Sequence, residues 1–175
     1  MKYKCNSFQP EEFNMKKEVI KTTPQVSRII KIATCQTCSG KSTLTYHFGC
    51  NDDKQVCIRI VANPGGGFFS EEWIKLVDIQ SALEDAPFPV TSFPLFKLFI
   101  GKSVNTPGFL LAVLKHEGLV KLLEGKIRGY EKLDPAPFML ELDKLVSSDV
   151  SLKPESVLTI QKVSPTLPSK KSKMA

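Results

Sequence analysis

This chain has no apolar run approaching the ~20 residues needed to cross a bilayer, so a transmembrane helix is excluded. Its N-terminus, MKYKCNSFQPEEFNMKK, lacks the apolar segment of a secretory signal, and the expected location is the cytoplasm. Histidine is scarce. His47 and His116 are the two present, and neither stands at a recognisable catalytic spacing from a serine, cysteine or carboxylate. The paired acids Glu11-Glu12, Asp52-Asp53 and Glu71-Glu72 fall at turns or helix starts, where acids serve structure. Five cysteines, an odd number in a chain without a signal, argue for reduced thiols rather than a disulfide scaffold. No nucleotide or metal-hydrolase signature is present. An enzyme would have to assemble its site from scattered residues.

Two local patterns need a physical test. Ser39-Gly40-Lys41-Ser42 follows a predicted strand, as in a phosphate-binding P-loop. That loop needs a glycine five positions before Gly40, where Cys35 stands, and a helix after the lysine whose N–H groups hold phosphate. Thr43 to Phe48 alternates polar and apolar, which is a strand pattern, so both requirements fail. The second pattern is the CxxC of Cys35 and Cys38, followed by Cys50 and Cys57. These four are the candidate zinc ligands, although a ribbon-type site prefers two such knuckles and only one is present. The competing reading is four reduced cysteines in a sheet.

What is there reads as a small α+β protein. Residues 26–34 are β-branched and strand-like. Leu44, Tyr46 and Phe48, then Val56, Ile58 and Ile60, alternate on the two arms of a hairpin turning at Asn51-Asp52-Asp53-Lys54. An odd-length turn puts both sets on one face, with Cys57 and Arg59 on the other. Ser70 is placed to cap a helix with Glu71 and Glu72 in its first turn and Trp73, Leu76, Val77 and Leu83 on its apolar side. Pro87, Pro89 and Pro94 mark a connector.

The organising stretch is 90–133. Phe93 to Ile100 is nearly continuously apolar; Thr106-Pro107 opens a helix; Gly118 closes it; and Leu119–Leu123 and Lys126–Tyr130 flank a tight turn at Glu124-Gly125. Helix, turn, helix, hairpin is the outline of a winged helix, in which the second helix enters the major groove and the hairpin lies along phosphates. Against this, the only polar residues after Pro107 are Lys115, His116 and Glu117, at the wrong end for base contacts.

The net charge of +6 is unevenly spread. Residues 90–133 hold seven basic and three acidic side chains, and 33–89 hold four and seven. Negatively charged partners are favoured: nucleic acid, an acidic protein face or anionic lipid heads.

The expected architecture is a small antiparallel sheet over about 26–62, with helices near 70–84, 92–101, 106–117 and 137–146 and a winged-helix-like unit at 90–133. Residues 1–24 read as an N-terminal extension and 25–163 as one α+β domain, with a sub-lobe boundary at 85–94. Residues 164–175, with Lys170, Lys171 and Lys173, read as a disordered basic tail. The expected function is a non-enzymatic binding or regulatory protein engaging nucleic acid. Lys97, Lys102, Lys121, Lys126, Arg128 and Lys132 would meet phosphate, with Asn105 and Thr106 at the helix entrance. The alternative is a protein-interaction module, zinc-stabilised through Cys35, Cys38, Cys50 and Cys57.

Overall fold

The computed structural model describes residues 24–148 and 150–153. The N-terminal extension and the basic tail lie outside the described residues. The chain is α+β. A four-stranded antiparallel sheet is formed by β1 (Arg28–Gln36), β2 (Thr43–Cys50), β3 (Val56–Ala62) and the short β4 (Ile74–Lys75), in that order. Then come α1 (Leu76–Glu84), a 3-10 helix (Phe93–Phe99), α2 (Thr106–His116), the hairpin β5 (Val120–Leu122) and β6 (Tyr130–Lys132), and α3 (Ala136–Ser147).

The β2–β3 register follows the alternation in the sequence. Tyr46 lies opposite Ile60, Phe48 opposite Ile58 and Cys50 opposite Val56, so these side chains share the face that packs on the helices. The intervening turn reaches positive φ at Lys54. His47, Cys57 and Arg59 fall on the opposite face, as alternation requires. On that face Trp73 stacks under Arg59, 4.5 Å from guanidinium to ring centroid. Gly49 makes room for this cover. A Cβ there would stand 2.9 Å from the Trp73 ring and 3.1 Å from the Arg28 carbonyl.

Three local expectations give way to tertiary pairing. Ser70 does not cap α1; its N–H donates to Thr106 Oγ1 at 2.9 Å. The helix starts at Leu76 because Ile74 and Lys75 first extend the sheet against Ile58 and Cys57. Val77 is consequently exposed, and the helix buries Leu76, Ile79, Ala82 and Leu83. The segment before α2 is a 3-10 helix in which Leu95 and Phe99 turn inward.

α2 is the central core helix. Leu110, Leu111, Ala112, Val113 and Leu114 are all buried, and so are Thr106 and Pro107 at its entrance. The hairpin is not part of the main sheet. Its strands pair with each other, and Val90 adds a single bridge to Tyr130. One buried cluster runs through Ile58, Leu83, Val90, Leu95, Leu114, Val120 and Leu142, on both sides of the proline connector. Arg28 fastens the far end: its guanidinium donates to the carbonyls of Val146 and Ser148 as α3 ends, where backbone acceptors lack partners. Leu152 then donates to Ile29 at 2.9 Å along the open edge of β1. No helix among the described residues is long and apolar enough to cross a membrane.

Candidate binding face

Polar chemistry inside the molecule gathers at two places. The first is at the C-terminal end of α2. Glu117, its side chain only 4% exposed, accepts from Tyr46 and from Lys31, the latter at 2.9 Å. Tyr46 has one proton, which goes to the carboxylate, so its oxygen accepts from His116 Nδ1 at 2.8 Å and fixes that nitrogen as protonated. Lys31 also reaches Glu141 at 3.0 Å. Burial lowers the Lys31 pKa, but the two carboxylates outweigh it and the net shift is upward. Burial, with the bond to Glu117, raises the Tyr46 hydroxyl far above its ordinary value. Each of these groups has a hydrogen-bonded or ionic partner, so the cluster braces β1 and β2 against the end of α2.

The second place is the covered sheet face. His47 is 3% exposed, and among the described residues its Nδ1 has no hydrogen-bond partner; neither does Arg59 Nε. Burial, then the Arg59 charge, depresses the His47 pKa to about 4. The unfolded chain therefore takes up a proton near the ordinary value of 6.5, which the folded chain refuses until about 4. Stability is full above pH 6.5 and is lost as pH falls through that window, by up to about 3 kcal/mol. Urea unfolding from pH 7 to 4 should show this decline, and it should flatten in His47→Gln. An unaltered slope in the variant would assign the acid sensitivity to carboxylates.

The structure does not bring the four candidate zinc ligands together. Cys35 lies opposite Leu44 at one end of β2, whereas Cys50 ends that strand, six residues or about 20 Å away. Cys50 and Cys57 are neighbours in the hairpin but point to opposite faces. Cys38 is exposed, 3.7 Å from the Gly108 carbonyl. Among the described residues, no three His, Cys, Asp or Glu side chains are grouped to hold a metal. Burial raises the Cys35 thiol to about 11 and also raises that of Cys57, so both stay protonated and unreactive.

The eight candidate nucleic-acid residues divide sharply. Thr106 is buried and accepts from Ser70, and Asn105 ties down the Phe68 carbonyl at 3.0 Å, so both hold the 63–73 loop against α2. Lys132 donates to the carbonyls of Leu83 and Glu84 and caps α1. Lys97, Lys102 and Lys121 form surface pairs with Asp85, Glu72 and Glu131. Lys126 and Arg128 are exposed at the hairpin tip, and among the described residues neither has an ion pair or side-chain hydrogen bond.

Around these cations lies a face that hydropathy did not reveal. Ile127, between Lys126 and Arg128, is 92% exposed, and Phe88, Phe93, Phe96, Ile100 and Val104 are exposed as well. Patches of this kind on small proteins mark contact surfaces. The Phe93 and Phe96 rings stand 6.2 Å apart with 39° between their planes. Beside them Phe96, Phe99, Ile100 and Val104 line a hollow of about 320 Å³, with Lys97 and Lys102 at its rim. The hairpin is tied to the segment leading into this face: Val90 and Tyr130 exchange backbone hydrogen bonds of 2.8 Å, and a Cβ at Gly129 would stand 3.3 Å from Pro89.

Fold and face together define a small α+β protein with an exposed apolar and basic surface. No family model, curated protein or solved structure matches the chain.

Proposed function

We propose that this chain is a non-enzymatic binding protein that engages nucleic acid through residues 93–104 and the hairpin tip at 124–128. The observation carrying this reading is Lys126-Ile127-Arg128: two exposed cations that have no ion pair or side-chain hydrogen bond among the described residues, carried on the 123–129 loop between β5 and β6. Lys97 and Lys102 line the hollow of the 93–104 segment, and their carboxylate partners Asp85 and Glu72 are groups that a phosphate can displace at little cost. The mode differs from a winged helix. α2 is committed to the core, so contact is made by the 3-10 segment and the hairpin, with no helix in a groove.

The test is binding of a labelled oligonucleotide followed by anisotropy over a salt series. Lys126→Gln with Arg128→Gln should lower the magnitude of the salt slope by about 1 to 2, since each phosphate contact contributes about 0.7 to 0.9. An unchanged slope would remove the hairpin tip from the contact. A second reading, a protein-interaction module, is favoured by the hollow between Phe96 and Val104. It requires a partner that presents apolar side chains flanked by acids.

A further inference from the structure

We infer that the nucleic acid taken by this face is single-stranded, with a base stacked on the Phe93–Phe96 ring pair and its neighbour seated in the adjoining hollow. This rests on the nucleic-acid reading above and names the form of the ligand. The rings carry the argument. Phe93 is 78% exposed and Phe96 is also open to solvent, in a chain that has ample core to bury them. A duplex keeps its base faces stacked and offers such rings nothing. A single strand offers a π-face at every base, and aromatic side chains are the platforms on which those faces stack.

Charge fits the same ligand. Between residues 86 and 105 the chain carries Lys97 and Lys102 and no acid, and the carboxylates that pair with them, Asp85 and Glu72, are ones a phosphate can replace. Lys126 and Arg128 add two exposed cations on the β5–β6 loop, whose strand β6 is bridged through Tyr130 to Val90, just before the ring pair. Stacking on rings with phosphates drawn to flanking lysines is the general arrangement of sequence-tolerant single-strand sites. The hollow, at about 320 Å³, lies at the small end of ligand pockets. Its wall of Phe96, Ile100 and Val104 offers a base apolar contact, and the one lining hydroxyl, Ser103, already donates to the Phe68 carbonyl, so little sequence preference is expected.

An anionic lipid surface is the strongest competitor, because it too attracts exposed apolar groups flanked by cations. Interfacial belts, however, are built from tryptophan and tyrosine. Among the described residues Trp73 is engaged beneath Arg59, and Tyr46 and Tyr130 are buried.

The experiment compares a labelled mixed-sequence 20-nucleotide single strand with its duplex, using the full chain at low and physiological salt. The single strand should bind at least about tenfold more tightly. Phe93→Ala and Phe96→Ala should each weaken it about 5- to 150-fold, the range for loss of one stacked base. Phe93 is exposed, so its variant keeps the fold, and circular dichroism verifies this for both. Equal binding of duplex, or indifference to both alanine variants, overturns the stacking inference and leaves the broader nucleic-acid reading standing. Absence of binding to either form overturns both. In that case, co-sedimentation with phosphatidylserine–phosphatidylcholine vesicles that is lost in Phe96→Ala would assign the face to lipid.

Discussion

Glu117→Ala is expected to destabilise the fold by about 3 to 5 kcal/mol, the range for removing one member of a buried ion pair. Its carboxylate is almost wholly inaccessible and holds both the Tyr46 hydroxyl and the Lys31 ammonium. Removal leaves Tyr46 with His116 alone and Lys31 with Glu141 alone, at the solvent edge. Because Lys31 keeps that second carboxylate, the lower end of the range is expected. Glu117→Gln is the informative companion: its amide oxygen can still accept from Tyr46, while the charge and the hydrogen bond from Lys31 are lost, at about 1 to 3 kcal/mol. Urea titration should show the midpoint falling in the order wild type, Gln, Ala, with an unchanged slope if only stability has moved. A loss below about 1 kcal/mol for Glu117→Ala would mean that the group behaves as a surface ion pair, and the brace would have to be abandoned.

That brace explains why part of this molecule was legible in the sequence and part was not. The β2–β3 hairpin was readable because period-two alternation is a local signal. Leu44, Tyr46 and Phe48 announce one face without reference to anything distant. α2 was readable for the same reason, with Pro107 at its start and Gly118 past its end. Lys31, Tyr46 and Glu117 join only after the sheet and α2 have packed; in the sequence, Glu117 is merely a polar residue at a helix end. The start of α1 misleads because Ser70-Glu71-Glu72 is a good local cap, yet pairing of Ile74 and Lys75 with β3 outweighs it.

The same limit governs the site. Eight residues were nominated by charge and position, and packing assigns Asn105, Thr106 and Lys132 to structural bonds while leaving Lys126 and Arg128 unengaged. The exposed rings could not be anticipated, because hydropathy scores buried Leu95 and exposed Phe93 alike. The only hint was the run SFPLFKLFI. Its spacing fits neither a clean helix nor a clean strand, and it folds as a 3-10 segment whose tight turn cannot bury every apolar side chain.

Substitutions along α2 should separate sharply by position, and the contrast decides what the helix is for. Leu114→Ala removes a side chain with no accessible surface from the middle of the cluster, and should cost about 2 to 5 kcal/mol through lost burial and the cavity left behind. Lys115→Ala, one residue on, faces solvent with no partner among the described residues and should change stability by no more than about 0.5 kcal/mol. It should also leave oligonucleotide binding unaltered, because the proposed contact is made by the ring pair and the 124–128 tip and not by α2. A recognition helix would give the reverse: tolerance at Leu114 and loss of binding at Lys115. The buried entrance at Thr106 and Pro107 argues the first outcome, since a helix whose N-terminal turn is enclosed cannot present that turn to a groove. If Lys115→Ala abolished binding while Leu114→Ala was tolerated, α2 would be the reader, and the face at 93–104 would lose its assignment.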